Sequence, residues 1–299
     1  MKKSIVYVLL AASAIMWGVS FILTKELFNS EPHITVLIIL TFRLILASAV
    51  TMPVLLALRQ LEPIKKGHLK WFLLLALLEP FIYSICETSG VQLVSGSMSA
   101  IVVATIPLFV PFGMAIAFKE RIRGVTLLGI VLSLVGLGIM VFMGENSSMD
   151  ANPKGLAWLL GAVLTAVFFT LVMAKLVKWY KPFTITAYQN FFGCLYFIPV
   201  MLAVDHASLP MLSYSGKMIG LILVLGIACS TLAYVFYCNG VAHLGATSAC
   251  IITNSIPIFS FIAALIIGQE TFSWAKPIGI LVVLLGVVMA QLPPKSKAD

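Results

Sequence analysis

Residues 73–94 read LLLALLEPFIYSICETSGVQLV, an apolar run of helical length that carries two carboxylates, Glu79 and Glu87, with Tyr83 midway between them. On a soluble helix the two acids are ordinary surface charges. At mid-depth in a bilayer each costs at least roughly 2.5–3.5 kcal/mol. The solvent around this stretch therefore decides the fold.

The rest of the chain names that solvent. Of 299 residues, 61% are hydrophobic and 10% charged, and the mean hydropathy is +1.09, whereas a soluble domain carries about 25% charged residues. A soluble core cannot hide so much apolar surface, so the solvent is lipid. Stretches long enough to cross the hydrocarbon layer as helices fall near 5–24, 34–58, 71–92, 97–118, 124–143, 155–176, 184–204, 218–241, 246–267 and 274–292. The expected fold is an all-α membrane protein with ten transmembrane helices. The first apolar run has no polar cleavage region after it and reads as an uncleaved span.

Cations orient the chain. With the N-terminus in the cytoplasm, the loops at 59–70, 119–123 and 175–181 and both tails, which hold most lysines and arginines, lie inside. Lys25, Lys154, Lys217 and Lys276 fall outside. The positive-inside rule selects this arrangement, with both termini cytoplasmic. The net charge of +8 sits in short loops and tails and forms no basic stripe, so the expected partners are lipid and a small molecule, not nucleic acid. The sequence favours neither a monomer nor a dimer. Cys86, Cys194, Cys229, Cys238 and Cys250 lie in apolar segments without C-x-x-C or zinc spacing, so they read as packing residues. Neither a metal nor a cofactor is expected.

Shifting the chain by 150 residues superimposes one half on the other. Pro32 meets Pro182, Gly90 meets Gly240, Ile106-Pro107-x-Phe109 meets Ile256-Pro257-x-Phe259, Glu120 meets Glu270, and Gly129 and Gly136 meet Gly279 and Gly286. Residues 1–150 and 151–299 therefore read as two five-helix units. An odd helix number turns the second unit upside down, which makes an inverted repeat. Secondary transporters use this device, with a midplane site between the units.

These features together resemble a family. TFRLILASA in the second span, IPLF and IPIF in the fourth and ninth, and a glutamate before a glycine-rich span in each half are similar to the drug/metabolite transporter superfamily, in its ten-helix EamA-type branch. The resemblance covers nearly the whole chain. It implies metabolite export across a bacterial inner membrane and a central cavity lined by helices 1, 3, 4, 6, 8 and 9. One departure is that Gly193 stands where Arg43 has its repeat mate. Related four-helix exporters couple to protons through a glutamate in their first helix, where this chain has none before Glu26, so no residue carries over.

Arg43, Glu79 and Glu87 are the charges that lie clear of the span ends. At about 1.5 Å per residue, Glu79 comes nearly level with Arg43, and Glu87 lies a turn or more beyond. In one reading Glu79 pairs with Arg43 and staples two helices, and Glu87 reaches interfacial water. In the other, both face a cavity and bind a substrate ammonium or a proton. Glu79, Tyr83 and Glu87, spaced i, i+4 and i+8, share one face of a continuous helix. Lys25 and Lys175 read as snorkelling from helix ends.

Pro107 and Pro257 sit near the middle of the fourth and ninth spans, beside Thr105 and Asn254. Each frees a carbonyl and reads as a packing kink or as a hinge. Trp17 and Tyr234 form a candidate aromatic wall for an apolar or cationic side chain, and Tyr237 lies on the same span as Tyr234. The candidate substrate or coupling residues are thus Glu87, Glu79, Tyr83, Trp17, Tyr234, Tyr237, Asn254 and Thr105, with Arg43, Pro107 and Pro257 structural.

The expected function is a secondary transporter that exports small metabolites, amino acids or related amines, by alternating access, driven by the substrate gradient or by protons. A lipid or polyprenyl-linked carrier of the same fold is the alternative. An intramembrane enzyme finds no support in H-E-x-x-H, G-x-S-x-G or mid-span histidines.

Overall fold

The structure is a computed structural model that describes residues 3–106, 108–109, 124–143, 152–244, 252–253 and 255–291. Pro107, Glu120, Cys250 and Asn254 lie outside the described residues. We label the helices α1 (Lys3–Ser30), α2 (Val36–Ala57), α3 (Leu69–Leu93), α4 (Gly96–Val103), α5 (Gly124–Met143), α6 (Pro153–Leu176), α7 (Pro182–Val204), α8 (Gly216–Gly240), α9 (Ile256–Ile267) and α10 (Ala275–Gln291). No strand occurs among the described residues.

Helices α1, α2, α3, α6, α7 and α8 contain spans long and apolar enough to cross a membrane. Shorter apolar helices occupy Leu127–Ile139, Ile256–Ile267 and Ala275–Met289. Large apolar side chains such as Val8, Leu128, Phe168 and Ile266 are exposed on the outer faces, as befits a protein dissolved in lipid.

Glycines set the closest helix contacts. A Cβ on Gly136 of α5 would lie 2.8 Å from the Gly279 carbonyl of α10. Reciprocally, a Cβ on Gly286 of α10 would run into the Gly129 carbonyl of α5. The two contacts interchange under the 150-residue shift, so α5 and α10 pack about a local pseudo-twofold axis, and Ser133 Oγ donates to Val283 O at 3.1 Å on that seam. The small residues permit backbone approach where lipid offers no hydrophobic drive.

The same reciprocity joins α3 to α6 and α8 to α1. Gly90 is crowded by Leu159, Gly155 by Val94 and Leu93, and Gly161 faces Cys86, so α3 and α6 run antiparallel. Leu10 packs on Gly240 and Trp17 on Tyr234, so α1 and α8 also run antiparallel.

Two helices do not keep α-helical geometry throughout. α3 widens into a π-type stretch at Leu77–Ile82 and α8 does so at Val224–Leu232, segments that overlap under the repeat. In α3 the cause is Pro80, which cannot donate and pushes the preceding residue out of the helical region. Glu79 accordingly has φ −140° and ψ 118°, with a cis bond to Pro80. The expected continuous helix with a straight Glu79–Tyr83–Glu87 stripe is therefore corrected, because the backbone breaks between the first two.

The expectation for Pro257 is also corrected. It occupies the first turn of α9, where a proline's missing N–H costs nothing, not the middle of a helix. Ala104–Thr105 and Ser255 are turns, and Thr105 and Ser255 are mates under the 150-residue shift. Thr105 Oγ1 donates to Val102 O and Ser255 Oγ donates to Ile252 O, both at 2.6 Å.

Candidate functional site

The break in α3 turns the Glu79 carboxylate toward α8. Tyr234 donates its hydroxyl to Glu79 Oε1 at 2.7 Å, and Ser84 reaches Oε2 at 3.4 Å. Ser84 and Tyr234 are mates under the 150-residue shift, so each half contributes a hydroxyl. Glu79 is 6% exposed, with both oxygens occupied.

The Arg43–Glu79 ion pair expected from their depth does not form. Arg43 Nε donates to Ser230 Oγ at 3.2 Å, and no ion pair joins Arg43 to either acid among the described residues. The guanidinium does lie within electrostatic reach of both Glu79 and Glu87. Depth arithmetic on straight helices missed this because it ignored Pro80, which re-aims Glu79 toward Tyr234.

Glu87 is held differently. Tyr83 donates to its Oε1 at 2.7 Å, and Oε2 meets no hydrogen-bond partner among the described residues. Glu87 and Tyr83 are half-buried.

The aromatic rings of α1 and α8 pack together. Trp17 lies edge-on to Tyr234 with centroids 5.1 Å apart and tilted against Tyr237 at 5.2 Å. Its indole N–H donates to Cys229 O at 3.2 Å, a carbonyl within the π-type stretch of α8. Elements α1, α2, α3 and α8 thus bring together Trp17, Arg43, Glu79, Tyr83, Glu87, Tyr234 and Tyr237. Thr105 is buried and its hydroxyl is spent on its own helix.

Sequence reasoning missed Ser84 and Ser230, since a serine in an apolar helix signals little until its partner is known. It also missed Pro80, whose signal was plain: an X-Pro step inside a span.

Lys25 does not snorkel. It is 9% exposed and donates to Val91 O at 3.1 Å and Gln92 O at 2.9 Å, capping the end of α3. Lys175 lies over the Trp71 ring, 3.6 Å from its centroid. Glu270 and Lys276 form a buried ion pair at 2.5 Å, with Ser97 donating to both Glu270 oxygens.

The chain matches the EamA-like transporter family over residues 4–142 and again over 153–291. It belongs to that family. It is 26% identical to "Uncharacterized transporter YetK" of Bacillus subtilis, over 99% of this chain and 89% of that one. An "Uncharacterized transporter" of Archaeoglobus fulgidus is 24% identical, over 96% and 98%. A chloroplastic WAT1-related protein of Arabidopsis thaliana is 24% identical, over 93% and 67%. One solved structure, titled only "Crystal structure of protein", shares the fold with TM-score 0.65 at 14% identity, covering 94% of this chain and 98% of that one. An EamA-like chain with apolar helices and relatives named as transporters is a multi-pass membrane transporter.

Proposed function

We propose that this EamA-like protein exports small cationic metabolites, amines or amino acids, through a central site whose cation acceptor is Glu87. The supporting observation is the contrast between the two acids. Glu79 has both oxygens bonded, by Ser84 and by a Tyr234 that packs on Trp17, whereas Glu87, held by Tyr83, keeps one oxygen open. A carboxylate with a free oxygen suits an ammonium group. Arg43, within reach of both acids, favours release of the cation once its contacts loosen.

The chain spans the inner membrane ten times with both termini in the cytoplasm, and its halves, 1–150 and 151–299, form an inverted repeat. Supporting this are the antiparallel packing of α1 on α8 and of α3 on α6, and the twofold seam between α5 and α10. Units related by such an axis alternate access by rocking about a central site. The breaks in α3 and α8 lie at that site, where backbone without regular hydrogen bonds is tolerated because it lines protein or water.

Glu87 exchanges a proton for the cation, so export runs with proton entry. The test is counterflow in proteoliposomes against a panel of labelled amines and amino acids. Acidifying the trans side is expected to accelerate export, and Glu87→Gln to reduce flux by about tenfold or more, as for loss of a charge-assisted contact in a dry site. Wild-type flux from Glu87→Gln at every pH would end this reading.

A further inference from the structure

α7 carries a polar cluster that the acidic site leaves unused. Gln189 and Asn190 are 3% and 5% exposed. Gln189 Oε1 and Asn190 Nδ2 are buried without any hydrogen-bond partner. Buried amide atoms in native folds are almost always paired, so two consecutive exceptions ask for an occupant.

Their depth follows from the contacts between α3 and α7. Phe72 packs on Tyr188 with centroids 5.3 Å apart, and Phe81 packs on Phe197 at 4.9 Å. Between them, a Cβ on Gly193 would lie 2.6 Å from the Pro80 ring. The two helices therefore ascend together, and residues 189 and 190 lie below the level of Glu79 and Pro80, on the side away from Glu87. Asn190 is about 4.5 Å of helical rise from Gly193.

Their direction follows from their neighbours on α7. Thr186 and Gly193 bracket the pair at helical spacing. Thr186 Oγ1 lies 3.7 Å from Cys238 Sγ of α8, and Gly193 faces Pro80 of α3. The amides thus occupy the face of α7 turned toward the two broken helices.

The other half shows what the fold accepts without a ligand. The repeat mates of Gln189 and Asn190 are Ile39 and Leu40, 0% and 3% exposed, each within an apolar cluster. Packing at this position needs no amide. One half is dry where the other holds unpaired donors and acceptors.

We propose that Gln189 and Asn190 form a substrate subsite about one helical turn inward of Glu79, which holds the uncharged hydrogen-bonding group of a small amine. This deepens the cation-export reading and rests on it. A carboxamide both donates and accepts, so the pair matches a hydroxyl or another carboxamide and offers nothing to a methyl. The substrate class selected is amino alcohols and amino amides over plain alkylamines. In the orientation above, the pair lies on the cytoplasmic side of Glu79.

The test uses the full-length protein in proteoliposomes, with its native cysteines replaced by serine or alanine. Asn190→Cys and its mate Leu40→Cys are exposed to a membrane-impermeant methanethiosulfonate from each side, with ethanolamine, ethylamine or neither present. Asn190→Cys is expected to label from one side only and Leu40→Cys from neither, and ethanolamine should slow labelling by about tenfold more than ethylamine, the worth of one hydrogen bond. Gln189→Cys serves equally if Asn190→Cys fails to insert. Two results would overturn the subsite: an Asn190→Cys as unreactive as Leu40→Cys, or labelling that both amines slow equally, which leaves no preference for the hydroxyl, or not at all, which leaves a pocket for water only. The same assay on a Glu87→Gln background separates the two ideas. Protection by both amines that vanishes there, without preference for ethanolamine, sinks the subsite and keeps the cation reading. Ethanolamine protection that survives there keeps the subsite and sinks Glu87 as cation acceptor.

Discussion

α3 and α8 occupy equivalent places in the two halves and both abandon α-helical geometry there, but for different reasons and to different ends. In α3 a proline breaks the ladder and turns an acid toward α8. In α8 no proline is present; Thr231 Oγ1 donates back to Gly226 O at 3.1 Å, and the Cys229 carbonyl is taken by Trp17. The first half supplies the charge and the more distant hydroxyl, Ser84, and the second supplies the closer one, Tyr234. A repeated backbone device thus carries unlike side chains, and the site belongs to neither half alone.

The same contrast explains the missing second arginine. Arg43 faces Ser230, and its mate Gly193 faces Pro80, which is the mate of Ser230. A Cβ at 193 would already lie 2.6 Å from Pro80 Cγ and 3.2 Å from Leu44 Cδ1. The proline that re-aims Glu79 removes the room for a second arginine.

Making the halves alike at that position is the most severe way to break the comparison. Gly193→Arg adds overpacking of about 1–3 kcal/mol to the roughly 2.5–3.5 kcal/mol of a buried charge, and no monodisperse protein is expected on size exclusion. Normal yield would show that Pro80 does not fill the space.

A second test concerns the buried Glu270–Lys276 pair of the second half, where the repeat mate of Lys276 is Thr126. Lys276→Met leaves Glu270 buried without its cation and is expected to cost about 3–5 kcal/mol, read as a lower Tm. Adding Glu270→Gln should restore much of it, and strict additivity would dissolve the ion pair.

Smaller effects sharpen the grip on Glu79. Tyr234→Phe removes a 2.7 Å hydrogen bond to a carboxylate, at about 1.5–3 kcal/mol. Ser84→Ala removes a 3.4 Å one, at about 0.5–1 kcal/mol. The reverse order of Tm losses would mean that the α3 hydroxyl, not the α8 phenol, carries the carboxylate.

Much of this was legible beforehand. The six longest spans, the matching glycines and the membrane setting follow from composition and period, because hydrocarbon admits few backbone solutions. The Trp17–Tyr234 contact was also legible, since the two stood out as polar-tipped rings in apolar helices. The Arg43–Glu79 pair was not, because depth counted along ideal helices cannot see a rotation introduced between two neighbours. Lys25 looked like a snorkelling residue for the same reason: its rise along α1 says nothing of the carbonyls of α3 that lie beside it.

Taken alone, the amino-acid order determined a lipid-dissolved helical protein built twice over, since hydrophobic length and a 150-residue echo are one-dimensional properties. Which oxygen of which glutamate stays open, and which arginine lacks a twin, only the packed helices decided. Those outcomes depend on side chains brought together from distant spans, and a single proline turn changes which of them can meet.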